Sequence, residues 1–543
     1  MRRFIPWLII FLVSIPVILP LTKSGFFPTH DGEWAVVRLA EMHRELKDMQ
    51  IPPRWADFLN HGYGYPLFMY TYPAPFYLGE VFHIAGIGLV DSVKIVFILS
   101  VILSAVFMYL LARELTGPTA GIIASSLYII APFRLVDIYV RGSIGESLAF
   151  AVFPLLFWST LKLILDPNLG RISLTAASLA FLILTHNISA LLFLPFWFIF
   201  LFVEVKYYYE DFAKYFLHYF APAIILGFAL SAFFWAPAIM EKKYILLSLI
   251  PLADKMEHFI RPLEFWNSPW NYGLRPSFQL GWLHILSFIL GVIILLTERG
   301  VDRKKNFLLG SYLLISILSL LFLTQSISLP VWQFPLLREI DFPWRILGVL
   351  SFFLSLGAMY VSQVPLLKKA ILFLLFLSLL LVPRFAKPES FFTKDNSYYE
   401  TNDATTTSMD ELTPVWVSEK PRDRPASKVD IIRGSSKIEG LFYNSHNIDF
   451  NLNSSSESIV SINTIYFPGW SFTLDGKPVL IDYNNPTGLM TLEVPQGRHM
   501  VVGKFERTPI RLLADIISLI AFLIITSLIL KDTISALRRK FLK

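Results

Sequence analysis

The 543 residues include no cysteine, which excludes structural disulfides, thiolate metal sites and cysteine nucleophiles. Charge is scarce: Asp, Glu, Lys and Arg make up 16% of the chain against 55% hydrophobic residues. That is too little charge to cover the surface of a water-soluble protein of this length. The formal charge of +6 is small for the size, and its basic residues are scattered among apolar stretches. They read as topology signals and phosphate contacts, and a nucleic-acid partner is not indicated.

What the chain has in abundance is apolar runs. Mean hydropathy is +0.56, and candidate spans fall at 4–21, 95–111, 119–133, 148–163, 172–184, 188–203, 216–239, 280–296, 307–323, 346–361, 370–382 and 512–530. This predicts a polytopic α-helical membrane protein with about twelve transmembrane helices. Two of the runs, 119–133 and 172–184, are short for a crossing. The first run follows Met1-Arg2-Arg3 and ends at Thr22-Lys23-Ser24 without a small-x-small cleavage pattern, so it reads as an uncleaved span.

With both termini cytoplasmic, the short inner loops carry Arg113, Lys162, Arg171, Lys206, Lys214, Arg299, Arg303, Lys304, Lys305, Lys368 and Lys369, and the tail carries Lys531, Arg538, Arg539, Lys540 and Lys543. That is the positive-inside pattern of a multi-pass protein in a prokaryotic cytoplasmic membrane. The predicted organisation is a membrane domain over 1–383 with extracytoplasmic loops 22–94 and 240–279, then an extracytoplasmic β-rich domain over 384–509. A final helix and basic tail follow over 510–543. Within the first loop, 31–49 places Trp34, Leu39, Met42, Leu46 and Met49 on one helical face, with Arg38, Glu41, Arg44 and Lys47 mostly elsewhere. Such an amphipathic helix is expected on the membrane surface. In the β-rich domain, short runs at 428–432, 437–443, 448–452, 458–465, 471–474, 477–481, 489–494 and 500–505 alternate in part. Asp475-Gly476 signals a hairpin and Pro495-Gln496-Gly497 a turn, which predicts a small β-sandwich.

Ionisable residues avoid the middles of the spans, where they are costly, and gather at the outer ends. His30-Asp31-Gly32-Glu33 follows the first span; Arg134, Asp137, Arg141 and Glu146 lie between the third and fourth; His186-Asn187 turns between the fifth and sixth; Arg338, Glu339, Asp341 and Arg345 precede the tenth. Asp31 and Glu33 fit a general base with its partner, or a two-carboxylate metal site; equally, Asp31 fits a plain helix N-cap. Arg134 and Arg141, two helical turns apart with Asp137 between, suit a lipid phosphate or pyrophosphate, or snorkelling arginines paired with Asp137 and Glu146. His186 suits a phosphate donor or a group that satisfies its own turn, and Trp344-Arg345 is open in the same way. The aromatics from Gly62-Tyr63-Gly64-Tyr65-Pro66 to Tyr77 fit an interfacial belt or a sugar platform.

His30-Asp31-Gly32-Glu33-Trp34 with its trailing helix resembles the first extracytoplasmic loop of the GT-C glycosyltransferase superfamily. Arg141-Gly142-Ser143-Ile144-Gly145-Glu146, Thr185-His186-Asn187, Phe342-Pro343-Trp344-Arg345, Glu411-Leu412-Thr413-Pro414-Val415-Trp416 and Phe467-Pro468-Gly469-Trp470 resemble, in this order, the membrane family labelled "6-pyruvoyl-tetrahydropterin synthase-related". The soluble synthase behind that label is a zinc enzyme with a histidine cluster, and no His-x-His spacing occurs among the ten histidines here, so no pterin chemistry is carried over. The GT-C resemblance implies a fold of GT-C type and inverting transfer of a sugar from a polyprenyl-phosphate carrier to an extracytoplasmic glycan, lipid or protein. It implies Asp31 as the base, with Glu33 as second carboxylate. Arg134, Arg141, Arg345, His186, His30 and Glu146 are then expected at the substrate and its phosphate. Trp-Trp-Asp-Tyr-Gly is absent, so peptide glycosylation is not supported; Asp-x-Asp is absent too, which leaves a divalent cation, Mg or Mn, open on Asp31 and Glu33. A lipid-linked glycan transporter and a non-catalytic scaffold of the same fold are the rival readings.

Overall fold

The computed structural model describes residues 4–273, 275–298 and 303–541. Arg2, Arg3, Arg299 and Lys543, read above as topology signals, lie outside the described residues. Among the latter, nine helices are long and apolar enough to cross a membrane: Ile5–Thr22, Leu89–Leu115, Ile144–Leu165, Asn187–Tyr208, Phe212–Leu230, Arg303–Leu323, Pro343–Gln363, Pro365–Phe385 and Pro509–Ser535. The pair Pro118–Ile129 and Pro132–Arg141, bent by 45°, makes a tenth if counted as one span. The bend falls before Pro132, which cannot donate into the preceding turn and biases Ala131 away from helix. The expected twelve is reached only if two shorter apolar helices, Leu169–Thr185 and Trp282–Thr297, also cross. The chain is a multi-pass membrane protein.

All eight predicted strands form: β1 (Val429–Arg433), β2 (Ser436–Tyr443), β3 (Asn447–Ser454), β4 (Ser458–Ile465), β5 (Trp470–Leu474), β6 (Lys477–Val479), β7 (Leu489–Val494) and β8 (Gly497–Phe505). They build two antiparallel sheets in the orders β1-β4-β7 and β2-β3-β8-β5-β6. Alternation does the work: Ile448, Phe450, Leu452 and Val501 come from one sheet, Val460, Ile462, Met490 and Leu492 from the other, and all are buried in one cluster. Asp475 and Gly476 both take positive φ, +50° and +79°, in the two-residue β5–β6 turn. The Pro495–Gly497 turn carries the chain from one sheet to the other.

The segments 22–94, 240–279 and 384–509 are stitched to one another, and the first also to itself, at one end of the bundle. Phe26 pairs with Phe392, Ile245 with Pro414 and Ala56 with Tyr65 as isolated antiparallel bridges. Helix α1 (Ile5–Ile18) leads into the first loop, where α2 (Gly32–Lys47) packs on Ala74–Ile84, Leu89–Leu115 and Asn396–Glu400. This corrects the expected surface helix. Leu39 and Met42 are buried as predicted, but Met49 is 73% exposed and Glu41 and Glu45 are enclosed, because protein and not lipid covers the helix. The aromatic stretch is no belt either: Tyr65 is fully buried, with its hydroxyl on Thr407.

Candidate functional site

Two glycines of the Arg141–Glu146 motif assemble the site. Gly142 takes φ +64°, and a Cβ there would lie 2.4 Å from Thr29 Oγ1 and 2.7 Å from the Gly32 nitrogen. The close approach lets the first loop dock by its backbone, the His30 and Asp31 N–H groups donating to the carbonyls of Val140 (3.1 Å) and Arg141 (2.8 Å). A Cβ on Gly145 would lie 2.3 Å from the Tyr72 ring and 2.8 Å from the Thr185 carbonyl oxygen. The motif therefore brings the first loop, Tyr72 and the Thr185-His186-Asn187 turn to one place.

Asp31 opens α2 at the N-cap position, yet its side chain makes no capping hydrogen bond; Thr29 Oγ1 accepts from the Gly32 N–H instead, at 2.9 Å. The plain cap reading of Asp31 is thereby overturned, and its half-buried carboxylate has no partner among the described residues. Beside it, Tyr72 is reached by the charges of Arg38, Asp31, Arg345 and Glu146, and burial pushes its hydroxyl up from the usual range. The His186 ring lies edge-on to Tyr72, 5.0 Å between centroids. His186 Nδ1 accepts from the Ser189 N–H at 3.1 Å and contacts Ser189 Oγ at 2.7 Å. The proton is then on Nε2, which has no partner among the described residues. Burial, then the charges of Arg345 and Arg141, hold His186 well below the usual imidazole range, so it stays a neutral N–H donor.

The Arg345 side chain, at the end of the turn Pro343–Arg345, makes no hydrogen bond among the described residues, and its Nε is buried without a partner there. Its guanidinium lies over Phe342 at 5.4 Å. Arg141 differs: one nitrogen, Nη1, donates to Asp137 Oδ1 (2.7 Å) and to Glu146 Oε2 (2.6 Å), and the guanidinium lies 4.6 Å over Trp344. Asp137 also accepts from Ser147 Oγ at 2.6 Å. Arg141 is thus internally neutralised, while the Arg345 side chain has no acidic contact among the described residues.

Arg134 is not brought to Arg141 by any shared contact. The chain winds as a π-turn over Asp137–Arg141, which breaks the two-turn α register, and Arg134 points instead to Ser100 Oγ (3.3 Å) and the Phe150 ring (4.8 Å). His30 Nε2 donates to the Gly273 carbonyl at 3.1 Å and so ties the second loop to Asp31. A divalent cation is left open on Asp31 and Glu33 by the sequence, and these two carboxylates belong to no larger donor set among the described residues. Glu33 Oε1 is held by Lys394 Nζ at 2.6 Å, and among the described residues no group of three or more His, Asp or Glu side chains fits a metal ion. Tyr72 and Lys394 were missed; the only sequence signal for Tyr72 was the aromatic stretch, and Lys394 carried none.

The two remaining motifs fasten the β domain to the segment after Met240 and to the last helix. Leu246 N–H donates to the Thr413 carbonyl and Val415 N–H to the Tyr244 carbonyl, at 2.9 and 3.0 Å. Trp416 packs against Tyr244, Tyr466 and Phe467. Gly469, at φ +121°, leaves room for Arg511, whose guanidinium pairs with Glu241 at 2.9 Å.

The model of the 6-pyruvoyl-tetrahydropterin synthase related domain, described as a membrane protein, matches residues 68–388. An uncharacterized protein of Lactococcus lactis subsp. cremoris (strain MG1363) is 21% identical over 347 residues, 62% of this chain and 54% of that protein. The chain therefore spans about half the length of the curated relative it matches. Two crystal structures of an Archaeoglobus fulgidus oligosaccharyltransferase, the apo form and one tethered with an acceptor peptide, align with TM-scores of 0.44 and 0.42 and identities of 12% and 11%. They cover 75% and 76% of this chain and 60% of their own. Similarity at this level fixes neither a shared substrate nor a shared activity.

Proposed function

We propose that this chain, which belongs to the 6-pyruvoyl-tetrahydropterin synthase related family of membrane proteins, is an inverting glycosyltransferase that takes a sugar from a polyprenyl-phosphate carrier on the extracytoplasmic side. One observation carries the reading: an unpartnered Asp31 carboxylate shares the surroundings of Tyr72 with an unpartnered Arg345 guanidinium and the free N–H of His186. A base and an anion-binding pair gathered around one aromatic ring suit displacement at a phosphate-linked anomeric carbon.

Asp31 takes the proton of an acceptor hydroxyl, whose oxygen attacks the anomeric carbon. The carbon–oxygen bond to the carrier phosphate breaks, and the electron pair leaves with the phosphate, where Arg345 and His186 Nε2–H stabilise the charge. Arg141 holds Glu146 and Asp137 in place, a positioning role, and Glu33 with Lys394 fastens the start of α2. Neither Arg134 nor a metal ion enters a step. A lipid-linked glycan transporter is less well supported: the two histidines that the sequence offers for a polar path contact backbone carbonyls, His284 Nε2 that of Leu127 and His218 Nδ1 that of Lys214, each at 2.8 Å.

The test is sugar transfer by purified protein in lipid from polyprenyl-phosphate and polyprenyl-pyrophosphate donors. Asp31→Ala and Asp31→Asn are each expected to lower the rate by about 100-fold or more, as loss of a general base does, at unchanged thermal stability. Wild-type transfer retained by both variants overturns the assignment of the base.

A further inference from the structure

Arg38 lies seven residues after Asp31, so the helical period puts the two on one side of α2. Its charge acts on Tyr72, as does that of Arg345. Yet Arg38 has no acidic partner among the described residues: Nε donates to Thr406 Oγ1 at 3.1 Å, and Nη2 donates to the Thr406 carbonyl. Thr406 belongs to the segment 399–413 that runs over α2 and holds φ at +62°. A β-branched residue occupies that region only when its surroundings force it. The segment is tied down on both sides. Arg44 Nη2 donates to the Glu400 carbonyl (2.8 Å), His61 N–H to that of Asp403 (2.9 Å), and Leu412 N–H to the Tyr65 hydroxyl (2.9 Å). Midway between these fastenings, a guanidinium without a counter-charge and a strained threonine hold each other.

We propose that Arg38 is a second anion-binding residue of the site, held in reserve by Thr406, and that a diphosphate-linked headgroup draws it off and relaxes the strap 399–413. The inference rests on the transferase reading above and narrows its donor class to glycolipid pyrophosphates. Arg38, on one side of α2 with Asp31, and Arg345 are two guanidiniums without a carboxylate contact among the described residues, and each offers a planar fork that matches one phosphoryl group. A monophosphate needs only Arg345. The bonds to Thr406 are to a neutral hydroxyl and carbonyl, so exchange for phosphate oxygens replaces neutral acceptors by charged ones.

The experiment uses the full chain in phosphatidylcholine nanodiscs, with inorganic pyrophosphate and inorganic phosphate as probes. Affinity is read by calorimetry and strap mobility by hydrogen exchange of residues 401–413. Pyrophosphate is expected to bind about 10-fold more tightly than phosphate and to speed strap exchange several-fold. Arg38→Ala should bring pyrophosphate affinity down to that of phosphate, with a strap that exchanges fast with or without ligand. Thr406→Ala should loosen the strap and tighten pyrophosphate binding, and Thr406→Ser, which keeps the hydroxyl, should restore wild-type behaviour. Arg345→Ala should weaken both probes while the strap of the free protein exchanges as in wild type. Normal pyrophosphate binding that Arg38→Ala leaves unchanged, or a strap indifferent to pyrophosphate, overturns this inference alone. Failure of the wild type to bind either probe overturns it together with the phosphate-binding half of the transferase reading.

Discussion

Arg141 Nη1 is shared by Asp137 and Glu146, whereas Arg345 has no acidic neighbour in contact, and substitution should separate the two arginines. Arg141→Ala leaves two buried carboxylates uncompensated and is expected to destabilise the membrane domain by about 3–5 kcal/mol. A marked fall in the midpoint of thermal unfolding in detergent checks this. Arg345→Ala removes a cation that balances no buried anion by contact, so stability should hold while donor KM rises and kcat falls. Gly142→Ala is a third case at this scale: it forces a methyl group to within 2.4 Å of Thr29 Oγ1 at a positive φ. It should push the first loop off the motif, with transfer lost before the fold is. Because His186 is held neutral, no ionisation of this residue should appear in the rate profile between pH 6 and 9, about the range an imidazole would normally mark. His186→Gln, which keeps an N–H donor, should retain more activity than His186→Ala.

Helix α2 joins the site to the β domain through groups that resist charging. Glu41 and Glu45 are enclosed, and both Glu45 oxygens lack a partner. Facing them are Arg44 and Asp48 on the same helix, Asp57 in the loop that follows, and Arg424 and Lys428 before β1. Burial, only partly offset by Arg44, pushes Glu41 up to about 8, and burial pushes Glu45 and Asp57 up as well. A carboxyl raised in the docked state favours docking fully below its ordinary pKa and loses that contribution as pH climbs through the raised value. Protection of 50–65 and 424–433 from hydrogen exchange should therefore fall as pH rises from the ordinary 4.5 to about 8 and level off above it, and Glu41→Gln should flatten the dependence. The strands of the β domain were legible because one face of each is buried and period-two alternation reports that directly. The exposed face of α2 was not. Its amphipathic pattern assumed lipid on one side and water on the other, whereas the strap 399–413, far off in sequence, covers the charged side.

Across the whole molecule, the spans were legible because hydrocarbon demands long apolar runs. The shorter helices Leu169–Thr185 and Trp282–Thr297 are where length alone fails to decide a crossing. The site was legible by composition only. Asp31, His186 and Arg345 stand out as polar residues at span ends, but Tyr72 resembles its aromatic neighbours until Gly145 seats it beside the His186 turn. Metal binding was open on Asp31 and Glu33 until Lys394, more than 350 residues on, took one of the carboxylates. The orientation is checked simply, since a chain without cysteine reports any cysteine introduced. Leu480→Cys, on the β domain and 91% exposed, should react with an impermeant maleimide in intact cells, and Glu210→Cys, at the opposite end, only after permeabilisation.

The central claim is that Asp31 is the base of a sugar transfer driven from a phosphate-linked donor. It is tested most directly by the rate of transfer in lipid, wild type beside Asp31→Asn, with folding of both monitored by thermal unfolding. The account predicts that the variant unfolds at the wild-type temperature and transfers at 1% of the wild-type rate or less, about the loss a missing general base causes. Equal transfer by the two proteins would contradict it.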